Sequence, residues 1–100
     1  MKHVILSADG DRKVYAVHDE VADHLEAYCL EFCTKWLLTS PHAKKYRRKG
    51  GLCYNEEDFI HYLNSWLFPT EPCFFVENLG PLDENAALPK SYAHCPSFNF

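Results

Sequence analysis

Between Val21 and Leu37 the apolar residues fall at Val21, Leu25, Tyr28, Cys29, Phe32, Cys33, Trp36 and Leu37, in steps of four, three and one. That spacing lays one apolar stripe along a helix and does not fit a strand. It predicts a central helix over 19–38, with Asp19 as its cap and Glu20 and Asp23 in its first turn, where the helix dipole favours anions. Glu31 and Lys35 stand one turn apart, in the favourable order, on the opposite side. Such a stripe must be covered, so the remaining elements are constrained to pack on it.

The residues before it alternate differently. His3 to Ser7 reads as a strand, Ala8-Asp9-Gly10-Asp11 as a turn, and Arg12 to Val17 as the returning strand. Asp-Gly between two apolar runs is a strong hairpin signal. A two-stranded hairpin alone is marginal in water, so it packs on the helices, gains a third strand, or pairs with another chain. After the central helix, Ser40-Pro41 opens a short helix to about Arg48, stopped by Gly50-Gly51. Asn55 caps a third helix with Glu56, Glu57 and Asp58 in its first turn and a stripe of Phe59, Ile60, Leu63, Trp66 and Leu67, ended by Pro69. Residues 71–79 are open to two readings, a third strand or a helix. Thr70 as cap, early Pro72 and terminal Gly80 favour the helix. Pro81 to Pro89 reads as a loop, and the aromatic tail Tyr92 to Phe100 as an extended strap along the core. The predicted architecture is α+β: an N-terminal two-stranded β-hairpin packed on three to four helices, with a C-terminal strap, in a single domain over 1–100.

Composition agrees with a packed domain: 100 residues, 47% hydrophobic and 15% aromatic, with 4 Gly and 6 Pro. No apolar run approaches the roughly 20 residues of a membrane span, and Val4-Ile5-Leu6 is too short for an export signal. Five cysteines, an odd count without a Cys-x-x-Cys, point to reduced thiols in a cytoplasmic setting. The stretches Asp58-Phe59-Ile60-His61-Tyr62-Leu63-Asn64-Ser65-Trp66-Leu67-Phe68-Pro69 and Cys95-Pro96-Ser97-Phe98-Asn99-Phe100 resemble small, uncharacterised proteins of anaerobic Gram-positive bacteria. The resemblance spans the chain, implies no activity and carries over no site residues.

No catalytic or metal signature is complete. Cys29 and Cys33 share a helix face, but Trp36 stands where a Cys-x3-Cys-x2-Cys cluster needs its third ligand. Both cysteines also fit the apolar stripe. No metal or cofactor is expected. Cys53 follows Arg47-Arg48-Lys49 and would be a nucleophile only with a histidine beside it: His42, His61 or His94. His94-Cys95 is adjacent in sequence only. The reading leans away from an enzyme and expects no catalytic residues.

Charge supplies the sharpest feature. Lys44, Lys45, Arg47, Arg48 and Lys49 hold five of the ten basic residues; the remaining five face 14 acidic ones. An acidic background excludes diffuse polyanion binding and leaves this run, with Tyr46 inside it, as the one anion-binding candidate. Its competing explanation is structural. Cations closing one helix and anions opening the next both suit the helix dipoles, and the two clusters would face each other across the 50–55 loop. The aromatics Trp36, Trp66, Phe68, Phe74, Phe75, Phe98 and Phe100 would mark a partner surface wherever they stay exposed. Two functions are therefore carried forward. The first is a non-enzymatic protein-interaction or regulatory module, with homo-oligomerisation through the hairpin edge. The alternative is a nucleic-acid or phosphate-binding module acting through residues 44–49. No membrane partner is expected.

Overall fold

Val4-Ile5-Leu6 and Val14-Tyr15-Ala16-Val17 are apolar at every position rather than every second one, a pattern that suits strands covered on both faces. The computed structural model, which describes every residue except Asp9 and 82–87, shows why. Strands β1 (Lys2–Ser7) and β2 (Asp11–Val17) pair antiparallel, with Val4 opposite Tyr15 and Ile5 opposite Val14. They are the two inner strands of a four-stranded sheet, in which β5 (Phe74–Pro81) lies outside β2 and β6 (Ser97–Asn99) outside β1. Val4, Leu6, Tyr15 and Val17 face the main core. Ile5 and Val14 face the other way, against Tyr92, with Leu88 and Cys95 partly covering them. The centre of the expected turn at Asp9, and 82–87 of the loop expected after Pro81, lie outside the described residues.

The outer strands correct three expectations. Residues 71–79 form no helix: β5 (Phe74–Pro81) pairs antiparallel with β2, with register shifts beside Lys13 and between Val14 and Tyr15. The cap-like Thr70, Pro72 and Gly80 yield to tertiary pairing. Asn64 steers the chain into the strand, since its amide donates to the Cys73 carbonyl at 3.0 Å and accepts from the Cys73 N–H at 2.7 Å. Gly80, at φ +87°, lies within the edge strand opposite Arg12, beside a register shift, instead of stopping a helix. The tail is more than a strap, because β6 (Ser97–Asn99) pairs parallel with β1. The hairpin is not two-stranded: β5 lies along β2, and β6 lies along the Ile5–Ser7 half of β1.

The helical layer covers the main-core face. The central segment is bent and widened rather than one regular helix. It runs as α1 (Asp19–Asp23), a break at His24 (φ −131°), α2 (Leu25–Glu31), a π-type turn over Phe32–Trp36, and α3 (Leu37–Thr39). His18, not Asp19, stands at its cap position. The buried positions Phe32 and Leu37 are five apart, the spacing a π turn creates. Glu31 and Lys35 pair at 3.3 Å on the exposed side. The third helix, α4 (Glu56–Tyr62), opens on a capping box: the Asn55 side chain accepts from the Asp58 N–H at 3.2 Å, and Asp58 accepts from the Asn55 N–H at 2.9 Å. It then widens into a second π turn, Leu63–Leu67. The widening rotates Trp66 and Leu67 out of the expected stripe, leaving them 47% and 40% exposed. Phe32 is the hub of the layer, with Tyr62, Phe59 and Tyr54 rings at 5.2, 5.5 and 5.6 Å. Among the described residues no helix is long and apolar enough to cross a membrane.

One ion pair ties the layers together. Glu56, 1% exposed at the start of α4, accepts from Lys13 Nζ of β2 at 2.5 Å. That hydrogen bond raises the Lys13 ammonium above its ordinary range. Burial raises the phenols of Tyr15, Tyr28, Tyr54 and Tyr62, and a hydrogen bond to Glu77 raises that of Tyr92. Groups raised in the folded state keep their protons after the unfolded chain has lost its own at about pH 10. Their contribution is fully present below that pH and is lost as pH climbs toward the folded values. The urea midpoint should hold up to about pH 10 and fall steadily above it; a midpoint flat through that range would contradict these environments.

Candidate functional site, a cationic hairpin beside an exposed ring stack

The basic run does not close a helix. Ser40 accepts from the His42 N–H at 3.2 Å and opens a 3-10 turn, Pro41–Tyr46. The chain then extends into β3 (Arg47–Arg48), turns at Lys49-Gly50, and returns as β4 (Gly51–Leu52). Gly51, at φ +135°, lies in a region side chains disfavour. A further backbone bond, Cys53 N–H to the Tyr46 carbonyl at 2.8 Å, closes the base of the hairpin. The dipole explanation for these cations therefore fails for Arg47, Arg48 and Lys49, which sit on a β-ribbon. The acidic residues of α4 do not answer the run either. Glu56 is committed to Lys13, and Asp58 to its capping box.

The six candidate residues divide in two. Tyr46 and Arg47 are structural. Tyr46 is buried, with Trp36 at 6.1 Å between ring centres. Arg47 Nη1 donates to the carbonyls of Leu37 and Ser40 at 2.9 and 3.0 Å, satisfying the end of the central helix. Lys44, Lys45, Arg48 and Lys49 are exposed, and among the described residues none has an ion-pair partner. Lys45 Nζ stands 5.1 Å from the Tyr46 ring centre.

Sequence reasoning missed the other half of the site. The π turn that expels Trp66 sets its ring on His42 at 4.2 Å and 26°, with Trp36 behind it at 6.5 Å. His42 belongs to the same 3-10 turn as Lys44 and Lys45. Three residues per turn put His42 and Lys45 on one side of it. The segment thus brings four exposed cations, without an ion-pair partner among the described residues, and a half-exposed indole. Periodicity placed Trp66 in the core, and only the widened turn distinguishes it.

A second exposed aromatic feature lies on the sheet. Phe74 and Phe75 are 57% and 53% exposed at the start of the open edge strand β5. Phe75 stands opposite Tyr15 at 5.6 Å.

The thiol candidates do not assemble. Cys29 and Cys73 are buried, and burial raises both thiols. Cys53 is exposed, but among the described residues no histidine hydrogen-bonds to it: His42 stacks on Trp66 and His61 stands 3.5 Å from Ser65. Among the described residues no three His, Cys, Asp or Glu side chains converge as a metal site. Native-state labelling with a thiol-disulfide reagent should modify Cys53 first and Cys29 and Cys73 only on unfolding; early loss of Cys29 would contradict the packing of α2. Set against protein-family models, curated proteins and solved structures, the chain matches none of them.

Proposed function

We propose that the chain is a non-catalytic binding module that takes single-stranded nucleic acid on the cationic hairpin. The observation that carries this reading is the stack of His42 and half-exposed Trp66, with exposed Lys44 and Lys45 on the same turn as His42 and exposed Arg48 and Lys49 on the ribbon that follows. Exposed cations neutralise phosphates, and the half-exposed indole with His42 stacked on it offers ring surface for a base to stack on. A base inside a duplex has no free face, so the preferred ligand is single-stranded. The acidic remainder of the chain repels the backbone elsewhere and confines binding to this short footprint.

The test is fluorescence anisotropy of a labelled oligothymidylate across a salt series. Four phosphate contacts on a single strand predict a slope of log K against log salt of about −3. Arg48→Ala with Lys49→Ala should bring it to roughly half that, and Trp66→Ala should weaken binding by about tenfold with the slope unchanged. Binding that ignores salt, or that survives all three changes, would refute the reading.

A second reading rests on Phe74 and Phe75. Two adjacent exposed rings on an open strand edge suit a protein partner that adds an extended segment to the sheet. Glu71 and Glu77, both exposed, favour a basic segment there.

A further inference from the structure

Away from the hairpin, the C-terminal segment docks on the start of β1 and leaves a cleft of about 320 Å³. Lys2 and His3 line it from the strand, and Lys90, Ser91, His94 and Pro96 from the turns opposite. The segment is firmly placed. Tyr92 is buried against the second face of the sheet, its N–H donates to the Pro89 carbonyl at 2.9 Å, and the Ile5 N–H donates to the Pro96 carbonyl at 2.9 Å. The His3 ring leans on Tyr92 at 5.8 Å. In a chain with net charge −4, the described lining holds two lysines, two imidazoles, a hydroxyl and the Cys95 thiol, and no carboxylate. Asp23 accepts from Lys2 Nζ at 2.6 Å but does not line the cleft, and it occupies one of the three ammonium donors.

We infer that this cleft binds a small phosphate monoester. Donor-bearing side chains stand on two sides of the cleft, His3 and Lys2 on one and Lys90, Ser91 and His94 on the other, which suits a compact dianion with several acceptor oxygens. There is no guanidinium in the lining to grip a planar carboxylate in two places. The lining surface is mainly apolar, as small-molecule clefts are, so it has room for the organic half of the ester beside its phosphate. The inference stands on residues remote in sequence from the hairpin and does not depend on the proposed nucleic-acid role.

Phenyl phosphate is a suitable probe, followed through the imidazole proton resonances of His3 and His94. Both sets should shift saturably. Lys90→Ala combined with His94→Asn, both at exposed positions, should weaken binding about tenfold, read on His3. Arg48→Ala with Lys49→Ala should leave the affinity unchanged, and phenol should not saturate. A response linear in probe concentration would overturn the assignment. So would phenol binding as tightly as its phosphate ester, or a loss of affinity in the hairpin variant instead of the cleft variant.

Discussion

Phe32→Ala is expected to lower the unfolding free energy by about 3–5 kcal/mol, the range for a large buried aromatic. Phe32 is fully buried and holds three parts of the fold at once. Its ring meets Trp36 on its own π turn, Phe59 and Tyr62 on α4, and Phe100 at the end of the tail at 6.1 Å. Truncation opens a cavity where these elements meet. Against a total stability of about 5–15 kcal/mol, the loss would bring a marginal domain close to unfolding. Urea melts of the purified variant measure it directly, and a loss below about 1 kcal/mol would mean that the helix phase is wrong.

Lys13→Met should cost a comparable amount for a different reason. Glu56 is 1% exposed and Lys13 is 23% exposed, so removing the lysine strands a carboxylate between sheet and helix. Breaking a buried pair from one side typically costs about 3–5 kcal/mol, whereas replacing both partners with apolar groups is often close to neutral. Lys13→Met combined with Glu56→Leu should therefore recover most of what Lys13→Met loses. The double-mutant cycle isolates the coupling. Small, additive single effects would contradict a desolvated pair.

The two predictions probe parts of the molecule that were unequally legible in the sequence. Phe32 was readable because helical spacing depends on local geometry, and the residues around it recur as an amphipathic helix demands. The strand character of residues 2–17 was readable for a similar reason. Non-local pairing was not. The segment 71–79 carries helix punctuation at Thr70, Pro72 and Gly80, yet it enters β5 because β2 had an open edge, and an edge separated from it in sequence by the whole helical layer leaves no mark on local composition. The same applies to β6: Ser97-Phe98-Asn99 is too short to announce a strand, and its pairing with β1 is parallel and spans nearly the whole chain. Glu56 looked like an ordinary first-turn anion, and only the sheet beneath it makes it a buried partner of Lys13. The candidate site was half legible. Charge density marked residues 44–49, but the Ser40-Pro41 start and Gly50-Gly51 stop assigned them to a helix end, and periodicity assigned Trp66 to the core. Both assignments failed at irregular backbone, a 3-10 turn running into a ribbon and a π turn that rotates one indole outward.

The most direct test of the proposed role is the amide and indole N–H spectrum of isotope-labelled protein titrated with a single-stranded oligothymidylate at low salt. Trp66 and the backbone of residues 44–49 should shift together and saturate together, while Phe74 to Asn78 stay in place and added salt reverses the change. Shifts that gather on β5 instead, or a spectrum that does not move, would contradict a nucleic-acid surface on the cationic hairpin.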